Sequence, residues 1–169
     1  MDHREAGEYW NGNARAWSEL ARQGYDVYRN HFNAPAFLEM LPDVTGLKGL
    51  DIGCGEGYNT RGFARRGGVM TAIDISEVFI DHAREAEQEE RLGIEYQVAS
   101  GVELPFDDAT FDFATATMSL MDIPEVDLAL GEAYRVLKPG GFFQFSITHP
   151  CFDTTHRKNM RGSDGKTYA

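Results

Sequence analysis

Three glycines at alternate positions, Gly53, Gly55 and Gly57, punctuate the run Leu50-Asp51-Ile52-Gly53-Cys54-Gly55-Glu56-Gly57, and Asp74 closes the next apolar stretch. Residues without a Cβ let the backbone turn sharply and let a ligand come close to the main chain. A carboxylate about 20 residues further on is where nucleotide-binding α/β folds hold ribose hydroxyls. The chemistry that suits these residues is the binding of an adenosine-containing cofactor.

The spacing separates two cofactor classes. The dinucleotide fingerprint G-x-G-x-x-G uses its last glycine to let a helix pack on the strand, with the helix N-terminus facing a pyrophosphate. Tyr58 occupies that place here. A ligand without a pyrophosphate does not need the glycine, so the pattern favours S-adenosylmethionine over NAD. Two other readings stay beside it: an NAD(P)-dependent oxidoreductase, and an inactive cofactor-binding module that works through a partner.

Such a loop needs a sheet to position it. Leu47 to Ile52, Val69 to Ile73, Ile94 to Val98, Phe111 to Thr117 and Phe142 to Thr148 are short apolar or β-prone runs bounded by glycine or polar turns, which predicts five strands. Phe79, His82, Ala83 and Ala86 share one helical face after Ser76, a good N-cap. Val126, Leu130, Ala133, Tyr134 and Leu137 repeat the pattern, with Asp122 and Glu125 as a capping pair and Lys138-Pro139-Gly140 as the stop. Strands joined by helices predict an α/β chain: a doubly wound parallel sheet with helices on both faces and ligands at the carboxyl ends of the strands. The conspicuous residues fall at that edge. Each strand's C-terminal loop carries one group, from Asp51–Gly57 after the first to His149 after the fifth.

The succession LDIGCGEG, MTAIDIS, ELPFDDATFD and RVLKPGG, over about residues 47 to 148, resembles the class I S-adenosylmethionine-dependent methyltransferases. The resemblance implies a Rossmann-like fold and transfer of a methyl group from S-adenosylmethionine to a small-molecule acceptor, leaving S-adenosylhomocysteine. It implies that the loop of Gly53, Cys54, Gly55 and Gly57 wraps the methionine part of the cofactor; a thiol at Cys54 could be reactive, but the residue reads as a small filler in that turn. Asp51 matches the acidic residue at the amino-acid end, Asp74 the ribose binder, and Ile75 an apolar residue on adenine. Ser100 stands where the family usually carries an aspartate for the adenine amino group, and Gly101 stands where alanine is common. A serine hydroxyl accepts that hydrogen bond without a charge, so weaker adenine recognition is expected there. Thr117 and Met118 match the segment near the sulfonium.

Before the first strand lie Tyr9, Trp10, Trp17, Tyr25, Tyr28 and Phe32, with Arg22 and Arg29 among them. Related enzymes place helices here that close over the cofactor, so residues 1–45 are expected to form a helical lid, with Tyr25, Tyr28 and Arg29 as substrate-side candidates. Residues 46–150 are then the cofactor-binding core. The polar stretch 151–169 shows no further strand signal. The family's full fold ends in an antiparallel strand pair, which is missing from this reading, so the chain is expected to be a fragment or to have its sheet edge covered by a partner. His149, after the fifth strand, is the first candidate for a general base if the acceptor is a hydroxyl, and Asp122 the second.

Composition bounds the partners. A length of 169 residues with 42% hydrophobic residues supports one domain with a substantial core. A formal charge of −11 and a pI near 4.8 oppose a nucleic-acid partner, because phosphate backbones are bound by lysine and arginine. Two cysteines, no apolar run of membrane length and no signal-peptide pattern point to the cytoplasm and away from a membrane. His149, Cys151 and His156 are good zinc ligands but lack an evident fourth, so no metal is expected. The sequence gives no reading of oligomeric state.

Overall fold

The computed structural model describes residues 1–149, 160–161 and 167–168. Five parallel strands form one sheet in the order β3-β2-β1-β4-β5: β1 Lys48–Ile52, β2 Val69–Asp74, β3 Glu95–Val98, β4 Phe111–Thr117 and β5 Leu137–Ser146. Helices α3 (Tyr58–Arg65), α4 (Glu77–Glu90) and α5 (Val126–Val136) supply connections between them. Because β1 pairs with both β2 and β4, the strand order reverses at β1, and a crevice opens outside the carboxyl ends of those strands.

A parallel sheet with helices on both faces buries both, and two apolar clusters result. One holds Phe37, Phe63, Met70, Ile80 and Phe113; the other holds Leu50, Ile52, Ile73, Leu104, Phe111 and Val136. Phe113, fully buried, lies over Gly49, where an added Cβ would fall 2.2 Å from the ring, and stacks on Phe142 at 5.4 Å. Burial of such a ring contributes about 1.5–3 kcal/mol.

Ser76 caps α4 as its sequence predicts, its Oγ accepting from the Phe79 N–H at 3.3 Å. The α5 reading needs correction. Its buried residues are Ala129, Ala133 and Val136, while Leu130 is half-exposed and Tyr134 is 83% exposed. Neither Asp122 nor Glu125 caps it with a side chain: Asp122 ends a 3-10 turn, Leu120–Asp122, and Glu125 Oε1 accepts instead from the His3 N–H at 3.3 Å. Lys138-Pro139-Gly140 does not follow a helix end as a loop; it lies inside β5, which starts at Leu137 and shifts register between Phe111 and Phe113 of β4. That irregularity lets a Pro-Gly-Gly segment enter a strand.

The N-terminal part is helical: α1 His3–Arg22, a π-helical turn Arg29–Asn33, and α2 Ala34–Met40. Asp2 caps α1 through bonds from the N–H groups of Arg4 (3.0 Å) and Glu5 (2.9 Å). The face that α1 buries is made of small residues, Ala6, Gly7, Ala14, Ser18 and Ala21, which allow close approach to α4 and to the end of β2. A Cβ on Gly7 would sit 2.9 Å from Ile75. Trp10 and Trp17 flank Phe79 of α4 at 6.0 and 5.7 Å, and Ser18 Oγ and His82 Nδ1 share a hydrogen bond at 2.8 Å. No described helix is long and apolar enough to cross a membrane.

Two further strands, β6 Met160–Arg161 and β7 Thr167–Tyr168, pair antiparallel in a separate sheet. This corrects the expectation of no strand after β5. A pairing of two residues on each side rests on backbone bonds and leaves no apolar alternation to read. The rest of the polar segment, with Cys151 and His156, lies outside the described residues.

Candidate functional site

A cavity of about 1210 Å³ lies at the carboxyl ends of the strands, bounded by α1 and the π-helical turn. The glycine loop forms one wall. The N–H groups of Gly53 and Cys54 both donate to the Ile73 carbonyl at 2.9 Å, which folds the loop back onto β2. The Gly55 N–H donates to Asp74 Oδ2 at 2.8 Å, and the Ser76 N–H donates to Oδ1 at 2.9 Å. Gly53 and Gly55 have φ of +71° and +56°, the left-handed region where a side chain is strained. Burial pushes the Asp74 carboxyl up to about 6, opposed by bonds from the backbone N–H groups of Ser76, Gly55 and Ile75.

Most of the residues singled out in the sequence meet on this cavity: Gly53, Cys54, Gly55, Asp74, Ile75, Ser100, Gly101, Thr117, Met118 and His149, with Tyr28 and Arg29 from the N-terminal part and Asp122 from the 3-10 turn. Ser100 Oγ also accepts from the Val102 N–H at 3.3 Å. Burial, then the charges of Asp74 and Asp51, raise the Cys54 thiol well above its ordinary value, so it is a poor nucleophile. Burial also raises the Asp122 carboxyl.

Asp51, Gly57 and Tyr25 do not line the cavity. Asp51 is 1% exposed, its Oδ2 accepting from Thr60 Oγ1 at 2.5 Å and its Oδ1 from Thr115 Oγ1 at 2.8 Å. It therefore fastens β1 to α3 and β4 beneath the loop, and burial raises it to about 6. Gly57, at φ +80°, precedes α3, and a Cβ there would sit 2.4 Å from the Tyr96 hydroxyl oxygen. Tyr25 lies on the surface, 55% exposed.

Sequence reasoning missed Glu56 and Asn59, which share the wall. Glu56 is 2% exposed; its Oε1 accepts from Arg29 Nη1 at 3.2 Å, and its Oε2 and backbone carbonyl accept from Arg61 at 3.3 and 2.7 Å. The Arg29 guanidinium lies 4.0 Å from the Tyr58 ring centre and 5.5 Å from that of Trp17. Asn59 Oδ1 and Thr117 Oγ1 are buried on the wall with no hydrogen-bond partner among the described residues. Met118, a non-glycine residue, takes φ +55° and donates its N–H to Ser146 O at 2.9 Å. A charge next to three glycines was the available signal for Glu56, with Arg61 five residues on; its partner Arg29, 27 residues back in the N-terminal part, was not.

Residues 50–145 match the family described as the methyltransferase domain. The chain belongs to this family. It is 32% identical over 125 residues to a ubiquinone biosynthesis O-methyltransferase of Coxiella burnetii, covering 72% of this chain and 53% of that protein. It is 38% identical over 103 residues to a ubiquinone/menaquinone biosynthesis C-methyltransferase of Brucella anthropi, covering 58% of this chain and 39% of the other. Among solved structures, an S-adenosylmethionine-dependent methyltransferase from Mesorhizobium loti superposes with a TM-score of 0.63 at 34% identity, over 70% of this chain and 54% of that one. The chain spans about half the length of the curated relatives it matches. Membership decides against the dinucleotide reading, since the cofactor of this family is S-adenosylmethionine. The residues present fit that cofactor: open space beside the Gly55 backbone, a carboxylate at the end of β2, and unpartnered polar atoms on Asn59 and Thr117.

Proposed function

We propose that this chain binds S-adenosylmethionine in the cavity and transfers its methyl group to a small, largely apolar acceptor. The observation that carries the reading is the Gly55–Asp74 contact at the mouth of the β1–β4 crevice, because it sets a ribose-binding carboxylate against a glycine loop that leaves room for a ligand. Bound there, the donor supplies an already activated methyl group, so the protein's work is orientation. Holding reactants in line is worth up to about 7–11 kcal/mol. Gly53, Gly55 and Asp74 hold the donor, Ile75, Ser100 and Gly101 its adenine, and Thr117 and Met118 pass near its sulfur.

The acceptor side is formed by Tyr28, Phe32, Met121, Ile147 and His149, with Asp122 beside the 3-10 turn. His149 is the base for a hydroxyl acceptor and Asp122 the alternative. Residues 1–45 act as a lid. The relatives' names, which refer to ubiquinone and menaquinone biosynthesis, and the apolar rim support an acceptor with an aromatic or otherwise apolar body. The protein acts in the cytoplasm and does not take nucleic acid as a partner, given its charge of −11.

Thermal shift tests the reading. Saturating S-adenosylmethionine or S-adenosylhomocysteine raises the unfolding midpoint, and NAD(H) or NADP(H) does not. A midpoint moved only by the nicotinamide cofactors refutes it, and donor binding without turnover on any acceptor supports the inactive-module alternative instead.

A further inference from the structure

Where β4 and β5 end, the cavity wall carries a small polar island. Thr117 and Ser146 are paired neighbours in the parallel register, so their side chains share one face of the sheet, the face from which Gln144 donates to the Phe37 carbonyl of α2. Thr117 Oγ1 is buried on the wall with no hydrogen-bond partner among the described residues. Ser146 connects it to Asn33 of the π-helical turn, which also lines the cavity. The Asn33 amide straddles the Ser146 hydroxyl, Nδ2 at 3.4 Å and Oδ1 at 3.5 Å, and neither contact has the length of a well-made bond. The chain neighbours of these three residues on the wall, Phe32, Met118 and Ile147, are apolar. Asn33 and Ser146 lie outside residues 50–145, so the family match assigns them nothing.

A buried hydroxyl without a partner and a half-engaged amide are spare bonding capacity, which a bound ligand can use. The capacity is of a definite kind. A threonine hydroxyl has one donor and two acceptor positions, and a carboxamide offers both kinds without a charge. A carboxylate only accepts and an ammonium only donates, whereas a hydroxyl does both. Arg29, the one lysine or arginine on the described wall, is committed to Glu56, so an acceptor carboxylate would be buried without a counter-charge. We propose that Thr117 and Asn33 form the seat for a hydroxyl group of the acceptor, which donates to Thr117 Oγ1 and accepts from Asn33 Nδ2, with the acceptor's apolar body against Phe32 and Ile147. This deepens the methyl-transfer reading above, on which it rests: the acceptor is a phenol or an alcohol, and Thr117 and Asn33 select it. The Thr117 backbone passes the donor's sulfur, so a hydroxyl held on its side chain lies next to the methyl group.

NMR titration of small aromatic compounds into protein saturated with S-adenosylhomocysteine tests the seat. The set is para-cresol, toluene, para-toluate and para-methylbenzylamine, which share a ring and differ in one group. In the parent, para-cresol is expected to bind about 3- to 10-fold tighter than toluene, the worth of one or two net hydrogen bonds, and tighter than either charged compound. In Thr117→Val and in Asn33→Ala the preference for para-cresol over toluene falls below about twofold, while Thr117→Ser, which keeps the hydroxyl, retains it. Binding of S-adenosylhomocysteine certifies that each variant is folded. Thr117→Val also leaves the unfolding midpoint of the unliganded protein at or above the parent's, because the hydroxyl it removes has no partner there. A lowered midpoint would mark that hydroxyl as a structural group and overturn the proposal. Equal affinities of para-cresol and toluene in the parent, a preference that survives both Thr117→Val and Asn33→Ala, or tighter binding of a charged compound overturns it too. A parent that does not bind S-adenosylhomocysteine overturns the donor-binding reading itself.

Discussion

Gly55 gives its backbone N–H to Oδ2 of Asp74 across 2.8 Å, so the loop after β1 is fastened by the last residue of β2. The same carboxylate takes the Ser76 N–H at 2.9 Å and thereby helps start α4. Asp74→Ala leaves the Gly55 and Ser76 N–H groups without that acceptor. We expect S-adenosylhomocysteine binding to weaken by at least about 10-fold in calorimetry. Affinity equal to the parent's would take Asp74 out of the site.

Asp51 sets a pH dependence. Its folded carboxyl titrates near 6 against an ordinary value of 3.8, chiefly because burial disfavours the charged form. A raised folded pKa contributes stability that is fully present below the ordinary value and is lost as pH rises through about 6. Asp51→Asn does not titrate. As pH falls from 7 toward 4, the parent is expected to gain stability relative to this variant, read from paired urea midpoints. A difference that is flat with pH would show that Asp51 is not protonated more readily in the folded state.

Two glycines should respond in opposite directions. Gly57→Ala puts a Cβ 2.4 Å from the Tyr96 hydroxyl oxygen at a φ of +80° and is expected to destabilise by about 2–4 kcal/mol. Gly12 lies exposed within α1, with nothing within 4 Å of its Cβ position, so Gly12→Ala should stabilise by about 0.5–1 kcal/mol. Chemical denaturation of both variants decides, and a neutral Gly57→Ala would mean that the turn before α3 relaxes freely.

The acceptor side should separate from the donor side. His149→Ala and Asp122→Asn are expected to bind S-adenosylhomocysteine as the parent does, since neither belongs to the loops around Asp74. A large loss of affinity in either variant, measured by calorimetry, would place that residue on the donor instead.

Four of the five strands were legible because each is a short apolar run between turns, and a parallel sheet covered on both faces makes such runs continuous; of β5 only the apolar end was legible, since Lys138-Pro139-Gly140 reads as a stop. The crevice was legible because Gly53, Gly55 and Asp74 sit at strand ends, where topology puts a ligand. Asp51 was not: its type and spacing suit a ligand contact, but Thr60 and Thr115 draw its carboxylate inward. The α5 face was misread because Leu130 and Tyr134 are large, whereas packing selected the small Ala129 and Ala133. Arg29 and Glu56 come together only when the N-terminal helices lie across the sheet edge, and that depends on Gly7 and the small residues beside it.

Met118 holds a left-handed backbone at φ +55° where β4 ends, a conformation costing a non-glycine residue about 1–2 kcal/mol. The sheet works as a rigid frame that keeps this segment cocked against its own preference, its N–H clamped to Ser146 of the neighbouring strand. Loosening the frame anywhere along the β4–β5 seam would therefore let the peptide unwind first at the cavity's rim, so damage far from any ligand would announce itself there.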